Sequence, residues 1–299
     1  MPGSDSPLES VVLDDVAPET IPTDEIRAAL ESERSLVRQR GAHVCVALAE
    51  GDPAEIRPFV EALGAALHDD NAGVVQTAAS ALQSLVDDDA SALADIVDDI
   101  ALLTGAPLPD LRLAGAELLA GVARSRPADC APVVGDLLDR LGEPRATADT
   151  DSFSAHAANR ETKEAIQQRD REGREYGRRA RQLLSNVVVA VAEERPAVVG
   201  DHVETLGELA ATDDEIVRGA ALDALHAGAQ ESPDTVRPVA ETAVSALDAD
   251  ASVVRARAIR LLGVIGEEGY VEALEAVAAT DEDDEIAAFA AETAAFLRA

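Results

Sequence analysis

A unit of 37 residues recurs along this chain, and no other feature constrains its fold as much. Val217-Arg218 and Val254-Arg255 stand 37 residues apart, and Val37-Arg38 opens the first clear copy. Prolines keep the same step: Pro53 and Pro127 lie two periods apart, Pro196 and Pro233 one. Each falls fifteen residues after an arginine: Arg38, Arg112, Arg181 and Arg218. Val75 fills the arginine slot in the second copy. A fixed period of this size marks a helical repeat array, in which each unit buries its apolar face only by stacking on its neighbours.

The columns of the repeat give the helices. Seven residues after the arginine slot stand Cys45, Leu82, Leu119, Val188, Leu225 and Leu262. Ten after it stand Leu48, Leu85, Val122, Val191, Gly228 and Ile265. Three after it the residues are mostly small: Gly41, Ala78, Gly115, Leu184, Ala221 and Ala258. Spacings of 3, 4 and 7 place these on one face of a first helix, and the small column admits a close neighbour. The proline then opens a second helix, since its missing N–H would be unpaired in a first turn anyway. Asp52 and Ser232 are candidate caps. An apolar stripe follows, Ile56, Val60, Leu63 and Leu67 in the first copy and Val199, Val203 and Leu206 in the fourth.

The fold expected is all-α: an α-solenoid of stacked antiparallel helix pairs. Six repeats are counted, at about 35–70, 71–107, 108–145, 178–213, 214–250 and 251–283. A terminal half-repeat covers 284–299, with Phe289 and Phe296 turned inward. Residues 1–22, acidic and rich in proline, read as a disordered tail, and 23–299 as a single array. Thr23 is expected to cap a short helix over about 24–33. The period breaks once, by a helical insertion at about 146–177. Opposite charges at four-residue spacing there (Arg160/Glu164, Asp170/Arg174, Arg171/Glu175, Glu175/Arg179) predict a solvated charged helix with bends at Gly173 and Gly177.

Charge restricts the partners. The formal net charge is −33, from 58 acidic and 25 basic residues, and Lys163 is the only lysine. Aromatic residues make up 2% and Trp is absent. This composition resembles proteins of salt-in halophiles, whose self-repulsion is screened at a Debye length of about 3 Å in molar salt. Nucleic acid and anionic lipid, which need clustered Lys and Arg, are not expected partners. The N-terminus has no apolar h-region and no stretch reaches a membrane span. Two cysteines in different repeats fit a reducing, cytoplasmic setting.

The motifs D-x-x-x-V-R (Asp213 to Arg218, Asp250 to Arg255) and P-x-x-V (Pro196 to Val199, Pro233 to Val236) resemble HEAT repeats. The nearest likeness is to the PBS-lyase HEAT-like subgroup, over about 35–145 and 178–299. That resemblance implies a structural ladder in which acid and arginine tie successive repeats together. Its members here would be Arg38, Arg112, Arg181, Arg218 and Arg255 with Asp70, Asp213 and Asp250. Pro107 and Tyr176 interrupt the acid position. The resemblance also implies that second helices line a concave side. Asp95, Asp98, Asp99, Asp136, Asp139, Asp201, Glu204, Glu208 and Glu241, which lie mostly off the apolar stripe, would then form an acidic trough, with His202 at its rim. Such a trough suits a basic or Arg-containing partner segment, and plain solvation accounts for the same acids.

No chemistry assembles around these residues. No histidine is followed by Glu, so the His-Glu pairs of di-iron HEAT-repeat hydroxylases are missing, and no cofactor or metal is expected. Cys45 and Cys130 sit in apolar columns as small core residues. Residues 160–181 hold eight basic and five acidic residues and form the most basic stretch. The function expected is a non-catalytic scaffold binding another protein through the acidic face, the charged insert or both. The alternative is a lyase-like or chromophore-handling HEAT-repeat protein.

Overall fold

A computed structural model describes residue 8, residues 21–144 and residues 160–299, without the side chains of 87 and 160–163. Among these residues every regular element is helical. The fold is an α-solenoid of helix pairs. The chain divides into two compact units, one of residues 1–133 with 144–180 and the other of residues 134–143 with 181–299.

The first unit opens with α1, Thr23–Leu30, ended by a turn rather than continuing to 33. Pro22, not Thr23, takes the capping position, and no side chain caps this helix. The first helices of three repeats follow: α2, Ser35–Gly51; α4, Ala72–Asp89; and α6, Pro109–Ser125. The second helices are not simple. Each begins as a 3₁₀ segment (Pro53–Phe59, Ala90–Ile96, Pro127–Val133) and becomes α only afterwards, as α3, Val60–Ala66, and α5, Val97–Leu103. The cause in two copies is a second proline five residues after the first, Pro58 and Pro132. Its ring clashes with the carbonyl four residues back and its nitrogen donates nothing, so the regular ladder cannot run through. Asp95 holds that position in the second copy and the break persists there without proline.

The second unit contains α7, Val134–Gly142, and the C-terminal part of α8, Arg160–Glu194. It continues with α9, Ala197–Ala210, and α10, Glu215–Glu231. The short α11, Pro233–Val236, and a 3₁₀ turn at Arg237–Val239 with Pro238 lead into α12, Ala240–Ala246. The chain ends with α13, Ser252–Ile265, then α14, Val271–Thr280, and α15, Asp284–Leu297. Helix α8 stays α-helical through Gly173 and Gly177, the two expected bend points. Gly266, at φ 77°, stops α13 in the left-handed conformation that glycine adopts without strain.

The cores are the expected columns. Cys45, Leu82, Leu119, Val188, Leu225 and Leu262 are all buried, none above 3% exposed. The small column works as close-approach sites. A methyl on Gly41 would stand 3.0 Å from the Leu30 backbone nitrogen, and one on Gly115 would stand 3.1 Å from that of Thr104. The end of the chain departs from expectation. Phe296 is 68% exposed, because α15 buries the stripe Ile286, Ala290, Thr293 and Ala294, and Phe296 falls off that face.

Candidate functional site

The arginine column makes one motif repeatedly. Arg38 forks onto the Asp69 carboxylate through Nε and through Nη2 at 2.9 Å, while Nη1 donates to the Ser32 carbonyl at 2.8 Å. Arg255 forks onto Asp281 at 2.6 and 2.8 Å and donates to the Ala249 and Asp250 carbonyls at 2.8 and 2.9 Å. Arg181 binds Asp214 at 2.9 Å and the Leu141 carbonyl at 2.6 Å. Each guanidinium thus satisfies carbonyls left over at the end of one helix and a carboxylate in the turn that starts another. Those carboxylates also accept backbone N–H groups, Asp69 from Asn71 and Asp281 from Asp283.

The carboxylates in this ladder are therefore Asp69, Asp214 and Asp281. Asp70 and Asp213 are exposed beside the acids that do the binding, and Asp250 contributes its carbonyl. Arg112 donates to the carbonyls of Ala106 and Pro107 at 2.9 and 3.3 Å. Arg218 is the exception. Its Nε is buried with no hydrogen-bond partner. The 31-residue step from Arg38 to Asp69 leads from Arg218 to Ala249, which has no carboxylate to offer. The same step from Val75 leads to Ala106, so in that copy both partners are apolar together. Losing both costs little, whereas losing one strands the other. Ala249→Asp is expected to stabilise the protein by about 1–2 kcal/mol. Thermal melts of the variant, with and without Arg218→Ala, check this, since the gain should vanish without Arg218.

The fork has a signature in acid. The Arg38 hydrogen bond holds the Asp69 carboxyl below its ordinary 3.8, and Arg255 does the same for Asp281. A carboxyl lowered in the folded state adds stability that is complete above its unfolded value and is lost as pH falls through its folded value. Stability should therefore fall steeply below pH 3.8. In Asp69→Asn the loss should be shallower, as read by denaturant melts between pH 5 and about 2.

The acidic row falls on the second helices, in two separate places. In the first unit Asp95 and Asp98 are exposed and Asp99 is half-buried. Asp99 Oδ1 stands 2.8 Å from Nε2 of His68, a contact between the turn just after α3 and its neighbour α5 that spacing did not reveal. Glu61 occupies the register of Asp98 and is likewise exposed. In the second unit Asp136, Asp139, Asp201, Glu204, Glu208 and Glu241 are exposed. His202 is half-buried, its Cε1 3.2 Å from where a methyl on Gly135 would stand, so it packs against α7. Asp95 and Asp201 fill the register that Pro58, Pro132 and Pro238 hold elsewhere.

Among the described residues nothing near the row gathers catalytic groups. Among the described residues no three His, Cys, Asp or Glu side chains are placed to hold a metal ion. Burial pushes the thiols of Cys45 and Cys130 up to about 12, which leaves them protonated and unreactive. The charged part of α8 pairs differently from expectation. Glu175 meets Arg178 at 3.4 Å, and Arg179 reaches across to Glu117 at 2.8 Å. Arg160, of the expected Arg160/Glu164 pair, lies outside the described side chains. An open groove of about 430 Å³ lies in the second unit between α8, α10 and α13, beside Asn186, Glu193, Glu215 and Arg257. No described helix is long and apolar enough to cross a membrane.

Comparison with known proteins places this geometry. A structure of the interaction between cadherin and β-catenin matches with TM-score 0.54 at 16% identity, covering 92% of this chain and 55% of that one. Kap121p bound to RanGTP matches at 0.49, with 15% identity, 92% of this chain and 30% of that. The CpcE–CpcF phycocyanin lyase complex from Nostoc sp. PCC7120 matches at 0.38, with 18% identity, 93% and 87% covered. No curated protein matches the sequence. The adaptin N-terminal region matches residues 19–275, most of the chain. The 37-residue period, the paired helices and this match agree, and the chain belongs to the adaptin N-terminal region family.

Proposed function

We propose that this protein is a non-catalytic scaffold that binds another protein, and that in each unit the acids on the second helices form a binding face. The row comprises Asp95, Asp98 and Asp99 in the first unit, and Asp136, Asp139, Asp201, His202, Glu204, Glu208 and Glu241 in the second. The observation that carries this reading is the exposure of these carboxylates, Asp99 apart, on the second helices of each unit. Unlike Asp69, Asp214 and Asp281, whose charges are consumed by arginines, Asp98, Glu204 and Glu208 face water. Carboxylates in rows complement an extended basic segment, giving steering and register. The charged 146–177 insertion, which falls between Asp139 and Asp201 in sequence, is the second contact of this proposal. The remaining arginines and acids of the ladder are structural.

The net charge of −33 speaks against phosphate-bearing partners and for a cytoplasm rich in salt. Affinity capture from a lysate of the source cells in molar KCl tests the reading. A stoichiometric protein partner is expected with the wild-type chain. It should be lost when Glu204, Glu208 and Glu241 are replaced by Gln. A partner kept by the triple variant, or a purified protein that carries colour or metal, overturns the proposal.

A further inference from the structure

The open groove of about 430 Å³ in the second unit is walled by the first helices of three repeats, α8, α10 and α13. Along α8 its lining runs from Gln182 to Glu193. At 1.5 Å per residue that is about 16 Å, or three helical turns. Its apolar lining includes Val189, Ile216 and Val253. Val253 is 59% exposed, and Ile216 and Val189 are half-buried.

Ile216 and Val253 hold one register, two residues before Arg218 and Arg255. The three copies before them carry Gly73, Asp110 and Arg179 there, as a solvated face requires. Leu36 holds the register in the first copy and is exposed, but its neighbour in the next copy is Gly73, so no apolar pair forms. Copies five and six are thus the adjacent pair that leaves two β-branched side chains open together. Apolar side chains left side by side within a polar rim mark an interaction site.

The charges lining the groove are unbalanced. Arg257 is spent: Asp223 holds its Nε at 2.7 Å, and the guanidinium lies over Gly219. Glu193 and Glu215 are exposed and meet no cation among the described residues. Acid alone says little in a chain of net charge −33. Unspent acid beside an open apolar floor specifies an occupant that is both apolar and basic.

We propose that this groove docks an amphipathic helix of a partner protein, about three turns long. Its aliphatic side chains lie on Ile216, Val189 and Val253, and its Arg or Lys side chains meet Glu193 and Glu215. A helix is the element that seats between helical walls, ridge into groove, with anchors at i, i+3 or i+4, and i+7. The proposal is independent of the acidic row, because every residue it uses is on a first helix.

Selection of a displayed library of helical peptides of about 18 residues, on the full-length chain in molar KCl, tests it. Salt at that level screens attraction to the general acidity and leaves close contacts. Enriched peptides should carry large aliphatic residues at the anchor spacing with Arg or Lys beside them. Their affinity should fall at least about tenfold in Val253→Lys and in the pair Glu193→Gln with Glu215→Gln. It should stay within about twofold when Glu204, Glu208 and Glu241 are replaced by Gln. If Val253→Lys lowers the helix content, the Glu193/Glu215 pair decides alone. A library with no enrichment over bare support overturns the proposal. So do peptides that bind the groove variants as tightly as wild type, and peptides lost only in the triple variant, which would put helix recognition on the acidic row.

Discussion

Asp214→Ala is expected to lower the melting temperature by about 10 °C, because one carboxylate performs two tasks. Its Oδ1 caps α10 by accepting from the Ile216 and Val217 N–H groups, and its Oδ2 holds Arg181 at 2.9 Å. Loss of a cap costs about 1 kcal/mol and loss of a charge-assisted bond about 2. At roughly 2–4 °C per kcal/mol for a chain of this size, the sum is about 10 °C. The side chain is only 9% exposed, so water cannot replace it, and Arg181, 18% exposed, is left facing carbonyls alone. Asp214→Asn keeps an acceptor for the cap and loses the charge, so it should fall about midway. Asp213→Ala should change the melting temperature by no more than ~2 °C, since Asp213 is exposed. Calorimetry on these variants, on Arg181→Ala and on the Asp214→Ala/Arg181→Ala double variant closes a double-mutant cycle. Additive losses for Asp214 and Arg181 would remove the ladder bond from the account.

That comparison also locates the limit of the sequence. The period, the first helices and the core columns were legible because burial imposes a repeating constraint on residue size. Gly41 and Gly115 must be small, since each faces a neighbouring backbone at about 3 Å. The choice between Asp213 and Asp214, or Asp69 and Asp70, was not legible. Both acids stand in the same turn, and only the backbone path decides which one meets the arginine. The step of 31, 33 and 26 residues from arginine to carboxylate varies with the length of the second helix, which hides the pairing from any fixed column. The break in the second helices had a visible cause in three copies, at Pro58, Pro132 and Pro238, and none in the second, where Asp95 holds the position. The His68–Asp99 contact and the burial of Leu8 left no periodic trace. Each is a single contact made once, and a repeat pattern carries no information about what happens once.

Leu119→Ala in the first unit, and Leu262→Ala in the second, should each cost about 4 kcal/mol. Both side chains are fully buried in the column seven residues after the arginine slot. Truncation removes three heavy atoms' worth of apolar transfer and leaves a cavity whose walls are helices already fixed by the small column and the arginine forks. Such walls relax little, which places these sites in the upper part of the range for leucine truncations. The same column offers its own calibration. Cys45→Ala removes one sulfur from an equally buried position and should cost about 1 kcal/mol, while Val188→Ala should fall between. Because each repeat touches only its neighbours, the two leucine losses should add when combined. Denaturant melts of the single and double variants measure this order. A series in which Cys45 and Leu119 cost the same would mean that the column is not a packed seam.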